Sequence, residues 1–111
     1  GYLRHDDADT WMDAKEKGTR PFSPRGDRAN DIQALWHGQL LAAAELASLN
    51  GDGAAAARWR AHADKVAARF AADFIDPATG ILADHLNRDG SRDRQMRPNQ
   101  FFALHLLPDA G

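Results

Sequence analysis

Residues 30–74 read NDIQALWHGQLLAAAELASLNGDGAAAARWRAHADKVAARFAADF, Asn30 to Phe74, and this stretch decides the fold. In its first half Ile32, Leu35, Trp36, Leu40, Ala43, Leu46 and Ala47 keep the three-and-four spacing of one helical face. Asn30 or Asp31 is placed to cap that helix. Asn50-Gly51 is placed to stop it, because glycine tolerates the left-handed conformation just past a helix end. Asp52-Gly53 prolongs the turn, and a second helix follows with the stripe Trp59, Ala63, Val66, Phe70 and Phe74. Alanine fills much of both halves, which raises helix propensity and lets the two approach closely. Two long helices joined by so few residues must run antiparallel. Residues 31–75 are therefore predicted to form a helical hairpin, with helices over ~31–49 and ~54–75. Trp36 and Trp59 are expected to be at least half buried.

Beyond the hairpin, Asp76-Pro77 and Gly80 end the second helix. Residues 76–97 alternate Ile81, Leu82 and Leu86 with polar residues. They read as a loop or short irregular hairpin, with Asp89-Gly90 as a turn between extended pieces. Pro98 suits the first turn of a last helix over 98–107, whose apolar run is Phe101 to Leu107 and which Pro108 stops. Residues 1–30 hold few large apolar side chains and many charges. Within them GTRPFSPRGDR, Gly18 to Arg28, reads as a proline-stiffened loop. The fold class expected is all-α.

The 111 residues suit one small domain burying roughly two-thirds of its unfolded surface. With 14 Lys+Arg against 16 Asp+Glu, the net charge of −2 argues against an electrostatic grip on nucleic acid or on an acidic membrane. There is no cysteine, so disulfides, thiolate zinc sites and a cysteine nucleophile are excluded. The five histidines include no pair at the spacing of a helical metal site, and no metal or cofactor is expected. No apolar run approaches the ~18 residues of a membrane span and no signal-peptide pattern opens the chain, so a cytoplasmic protein is the expectation. Because the chain opens at Gly1-Tyr2-Leu3 and stops just after an apolar helix, it is expected to be a piece of something longer.

The chemistry-bearing stretch is DADTWMDAK, Asp7 to Lys15, which sets Asp7, Asp9 and Asp13 around Trp11. Carboxylates can move protons and grip hydroxyls, and an indole stacks on the apolar face of a pyranose. Were Trp11 to Lys15 to begin a helical turn, Asp9 and Asp13 would share a face and repel by a few tenths of a kcal/mol. The plainer reading is an acidic, solvated helix start. A calcium loop fails, since Trp11 stands where the third ligand belongs and no glycine follows at the sixth position. Arg25 and Arg97 can hold hydroxyls or orient carboxylates, and Asn99 and Gln100 offer paired donors and acceptors. Against these roles stand ordinary ones, Arg97 packing on the loop and Asn99 and Gln100 lying in a first helical turn. Trp36 suits the core as well as a ligand-facing position.

In order along the chain, DADTWMDAK, SPRGDRANDIQALW (Ser23 to Trp36), GILADHL (Gly80 to Leu86) and RPNQ (Arg97 to Gln100) resemble the glucosidase domain of glycogen debranching enzymes, the amylo-α-1,6-glucosidase type. TWMDA and RPNQ carry the resemblance; the alanine-rich hairpin between them is not specific. The resemblance implies part of an α/α toroid barrel of six helical hairpins with the site in long loops at one end. The rest of the parent barrel would then be this chain's structural partner and an α-glucan its substrate. It implies that Asp13 is the general acid and that the general base is a glutamate beyond RPNQ, past the last residue here, so that the isolated chain is inactive. Asp9, Trp11, Arg25, Asp31, Trp36, Arg97, Asn99 and Gln100 are the substrate-binding candidates. Asp31 stands where many family members carry a longer acid. Two other readings compete: another α/α-barrel glycosidase of glucoamylase or trehalase type, and a helical-hairpin interaction module that catalyses nothing.

Overall fold

A computed structural model describes residues 1–108. Helix α1 spans Asn30–Leu49 and helix α2 spans Gly53–Phe74, within a residue or two of the predicted hairpin. The turn between them is a Schellman motif. Gly51 has φ +78°, its N–H donates to Ser48 O, and the Asp52 N–H donates to Ala47 O at 2.9 Å. The Asp52 carboxylate then caps α2 by accepting from the Ala55 N–H at 2.9 Å.

At the other end of α1 the expected cap is absent. Ala29 occupies the N-cap position without a side-chain bond, and Asn30 and Asp31 are buried and turned to distant partners. The Asn30 N–H donates to Asp84 O at 3.0 Å, and its side-chain amide donates to Ala83 O at 3.1 Å. A segment far along the chain thus satisfies the helix start that a local carboxylate was expected to satisfy.

The buried face of α1 is also rotated from the one predicted. Gln33, Ala34, His37, Leu40 and Ala44 face inward, whereas Leu35 and Leu46 are exposed. On α2 the predicted stripe holds for Ala63, Val66, Phe70 and Phe74. Trp59, at its far end, is 38% exposed, and Trp36 is partly buried, so both are more than half covered. Phe70 and Phe74 stack with ring centroids 4.6 Å apart, and Tyr2 meets Phe74 edge-on at 5.6 Å. Ala34, Ala83, Leu86, Ala103 and Leu106 complete that core, while Leu40, Ala63 and Val66 form a second one with Trp36 and Tyr2 against it.

The chain is helix-rich but not purely α. Strands β1 (Lys15–Glu16) and β2 (Arg20–Pro21) form a hairpin in the region read as a loop. Strands β3 (Arg28–Ala29), β4 (His85–Leu86) and β5 (Arg92–Asp93) form a three-stranded antiparallel sheet in that order. Its register sets Ala29 opposite His85, and His85 opposite Asp93. The 76–97 segment is therefore the irregular hairpin expected, with Gly90 at φ +87° in its turn. The last helix, Pro98–Leu106, is a 3₁₀ helix with Pro98 in its first turn, packed on α1. The segment before β1 is pinned to α1 by a two-way amide bond, in which Gln33 accepts from the Leu3 N–H and donates to Leu3 O, both at 2.8 Å. No helix among the described residues is long and apolar enough to cross a membrane.

Candidate active site

Three separated stretches meet where β3 enters α1. Pro24-Arg25-Gly26 comes from the loop before β3, Asp84 and His85 from the entry to β4, and Arg97 to Asn99 from the start of the 3₁₀ helix. The Arg25 guanidinium is the hub, and solvent does not reach it. Its Nε donates to Asp84 Oδ2 at 2.7 Å, and one terminal nitrogen donates to Asp31 Oδ1 at 2.8 Å. Asn99 Nδ2 donates to Asp31 Oδ2 at 3.1 Å, and His85 Nδ1 donates to Asp84 Oδ2 at 2.8 Å. Arg97 Nε lies 3.5 Å from Asp84 Oδ2. Two guanidiniums thus balance two buried carboxylates, which lets four charges leave water together. Burial pushes the Asp84 carboxyl up, but the His85 hydrogen bond and the Arg25 and Arg97 charges outweigh it and hold Asp84 below the usual carboxylate range.

Gly26 is what allows the loop to approach β4 this closely. Its φ is +59°, and a Cβ there would stand 2.5 Å from a His85 ring carbon and 2.7 Å from Leu86 O. Only a residue without a side chain fits.

On this platform rests the segment that carries Trp11 and Asp13. It is not helical. A turn closed by Asp9 N–H to Asp6 O at 3.0 Å, with the Asp6 N–H donating to Asp9 Oδ2 at 2.9 Å, occupies its start. The Met12 N–H then donates to Thr10 Oγ1 at 3.2 Å. These side-chain bonds to backbone replace the first turn of the expected helix. Met12 is the link to the platform, its sulfur lying 3.5 Å from an Arg97 terminal nitrogen and 3.8 Å from Asn99 Nδ2.

Asp13, next along, is exposed. It borders an open concavity of about 240 Å³ lined by Trp11, Met12, Ala14, Phe22 and Ser23. Trp11 is 65% exposed. Asp9 lies in a different concavity, of about 350 Å³, with Arg4, His5, Asp6, Asp27 and Arg88.

Of the residues singled out in the sequence, Arg25, Asp31, Arg97 and Asn99 therefore converge, and Asp31 has both oxygens engaged inside the cluster. Trp11 and Asp13 border the same open cleft. Trp36 packs on the second core, with its indole N–H on Gly1 O at 3.2 Å, and Gln100 is only half-buried in the 3₁₀ helix. Asp84 and His85 were missed as site residues. The signal available was the order Asp-His within GILADHL, a stretch recognised for other reasons.

Asp84, His85 and Asp93 also bring three possible ligand atoms within 4.8 Å of one another. Asp84 Oδ2 is already held by Arg25 and by His85, and a divalent cation would have to enter against two guanidiniums. The donor set suits an ion-pair centre better than a metal centre.

Residues 3–110 match a family described as amylo-alpha-1,6-glucosidase. No curated protein and no solved structure matches the chain.

Proposed function

The chain belongs to the amylo-α-1,6-glucosidase family, and from that premise we propose that it carries the acid half of a site hydrolysing α-1,6-linked glucosyl branches of a glycogen-like glucan. The observation that carries this reading is the position of Asp13. It stands at the rim of an open cleft beside an exposed indole, while Arg25, Asp31, Arg97 and Asn99 are held in a separate buried ion-pair cluster.

In this reading Asp13 protonates the leaving glycosidic oxygen. A sugar ring stacked on Trp11 excludes water from the cleft in which that proton is transferred. Inversion at the anomeric carbon further requires a carboxylate about 6.5–9.5 Å from Asp13 to activate water. The family resemblance assigns that base to a glutamate outside this chain.

The arrangement of parts supports the chain's place within a larger α/α barrel. Leu35, Leu46 and Leu49 on α1 and Phe101, Phe102 and Leu104 on the 3₁₀ helix are exposed, and neighbouring hairpins of a barrel would cover such side chains. The Arg25–Asp84–Asp31–Asn99 cluster then serves as the rigid floor of the catalytic face, with Met12 transmitting its position to Asp13.

The test is linkage preference in the full polypeptide that carries this sequence. Isomaltose-type substrates should be hydrolysed in preference to maltose and trehalose. A preference for maltose or trehalose would reassign the site to the glucoamylase or trehalase type. Absence of hydrolysis, together with tryptophan fluorescence unmoved by maltooligosaccharides, would mark an interaction module.

A further inference from the structure

Phe22 is the most exposed aromatic residue among those described, at 69%, and the backbone holds it in place. Its N–H donates to Ala14 O at 3.0 Å, just beyond the Lys15–Pro21 pairing of the β1–β2 hairpin. That pairing folds Phe22 back onto the segment carrying Trp11 and Asp13, eight or more residues earlier in the chain. The turn enforcing it is tight. Lys17 and Gly18 both have positive φ, +48° and +74°, and the Thr19 N–H closes on Glu16 O at 3.0 Å.

Phe22 and Trp11 thereby border one concavity whose lining also includes Asp13. Its ~240 Å³ falls below the roughly 300–1,000 Å³ of drug-sized sites and suits a single ring. Two large aromatic faces left in water forgo the gain of burial. A pyranose returns that gain, because its axial C–H faces are apolar while its hydroxyl rim stays in water or on a carboxylate. We propose that Phe22 is a substrate-contacting residue that stacks on a sugar ring and, with Trp11, forms an aromatic clamp on the glucan beside Asp13. The proposal rests on the reading of Asp13 as the acid of a glucan-cleaving site.

Stacking is present in the ground state and in the transition state alike, so its loss weakens binding without slowing the chemical step. In the full polypeptide acting on an α-1,6-linked oligosaccharide, Phe22→Ala should raise KM about 5- to 10-fold and leave kcat within about twofold. Phe22→Trp and Phe22→Tyr should restore KM, because each presents a flat face on the same backbone. A Phe22→Ala enzyme with unchanged KM overturns the proposal. A kcat loss without a KM change does so too, as does a KM defect that neither aromatic replacement repairs, which would mark a role in holding the hairpin. Asp13→Asn, measured alongside, separates the two readings. If it abolishes turnover while Phe22→Ala is silent, only the clamp is wrong. If it leaves turnover intact, the acid assignment fails and the clamp falls with it.

Discussion

Arg25 Nε and Asp84 Oδ2 lie 2.7 Å apart although 59 positions separate them, and solvent reaches neither side chain. The pair joins the loop before β3 to β4, and through Asp31 it joins both to the first turn of α1. Removing the cation leaves two buried carboxylates facing only Arg97, Asn99 and His85. Arg25→Met should therefore destabilise the chain by about 3–5 kcal/mol in urea melts. Replacing Arg25, Asp31 and Asp84 together with apolar residues of similar size should cost much less, because no uncompensated charge remains. Equal losses in the single and triple variants would mean that the charges contribute only bulk. The direction of the Asp84 shift adds a pH dependence. Its folded carboxyl is held below the usual value, so its contribution is present above the unfolded pKa of about 3.9 and is lost as pH falls through the folded one.

Gly26 should tolerate no side chain. Gly26→Ala combines a positive φ with a Cβ 2.7 Å from the Leu86 carbonyl, which is backbone and cannot rotate away. The expected loss exceeds about 1–3 kcal/mol, read as a drop in urea midpoint. A neutral substitution would show that the loop sits further from β4 than 2.7 Å implies.

His37 on α1 and His105 on the 3₁₀ helix face each other, with Nδ1 3.2 Å from Nε2 and ring centroids 5.3 Å apart. Burial and the neighbouring His105 lower the pKa of His37, against a smaller opposing pull from Asp64. The unfolded chain therefore takes up this proton first as pH falls. Stability should be full above an unfolded pKa of about 6.5 and decline below it until His37 is charged in the folded state as well. His37→Gln should flatten that part of a thermal-melt pH profile. An unaltered profile would assign the pH dependence to other groups.

How far the sequence was legible follows from the range of each interaction. The α1–α2 hairpin rests on local periodicity and on a local stop at Gly51, and both its helices were readable. The exposed Leu35 and Leu46 show the limit, since periodicity locates an apolar stripe without saying which neighbour will meet it. Asn30 and Asp31 looked like caps because caps are local, yet their partners Ala83, Asp84, Arg25 and Asn99 are set by tertiary pairing. Strands of two residues, such as β4, leave almost no alternation to read, which is why Asp84 and His85 escaped notice. The DADTWMDAK stretch lost its helix to Asp9 and Thr10, whose side chains bond the backbone instead. Lys17 hid the β1–β2 turn by taking a conformation that non-glycine residues seldom adopt.

Phe70 tests the core independently of the site. Its ring is wholly buried and stacked on Phe74, so Phe70→Ala should cost about 3–5 kcal/mol in the 111-residue chain. A loss below about 0.5 kcal/mol would mean that this face of α2 is not packed.

Asp13 carries the sharpest prediction, because a general acid has a chemical signature that a structural residue lacks. Asp13→Asn keeps shape and polarity but has no carboxylic proton to give. In the full polypeptide, turnover of an α-1,6-linked glucan should fall by roughly 10²–10⁴-fold. Substrate affinity should change far less, since the lost interaction operates mainly in the transition state. Asp13 is exposed and makes none of the contacts that hold the ion-pair cluster, so the variant should fold as the parent does. The decisive comparison is α-glucosyl fluoride, whose leaving group departs without protonation and should largely escape the defect. Equal damage to both substrates would make Asp13 a base or a structural residue. No damage to either would leave the acidic stretch a solvated loop and place the proton donor elsewhere.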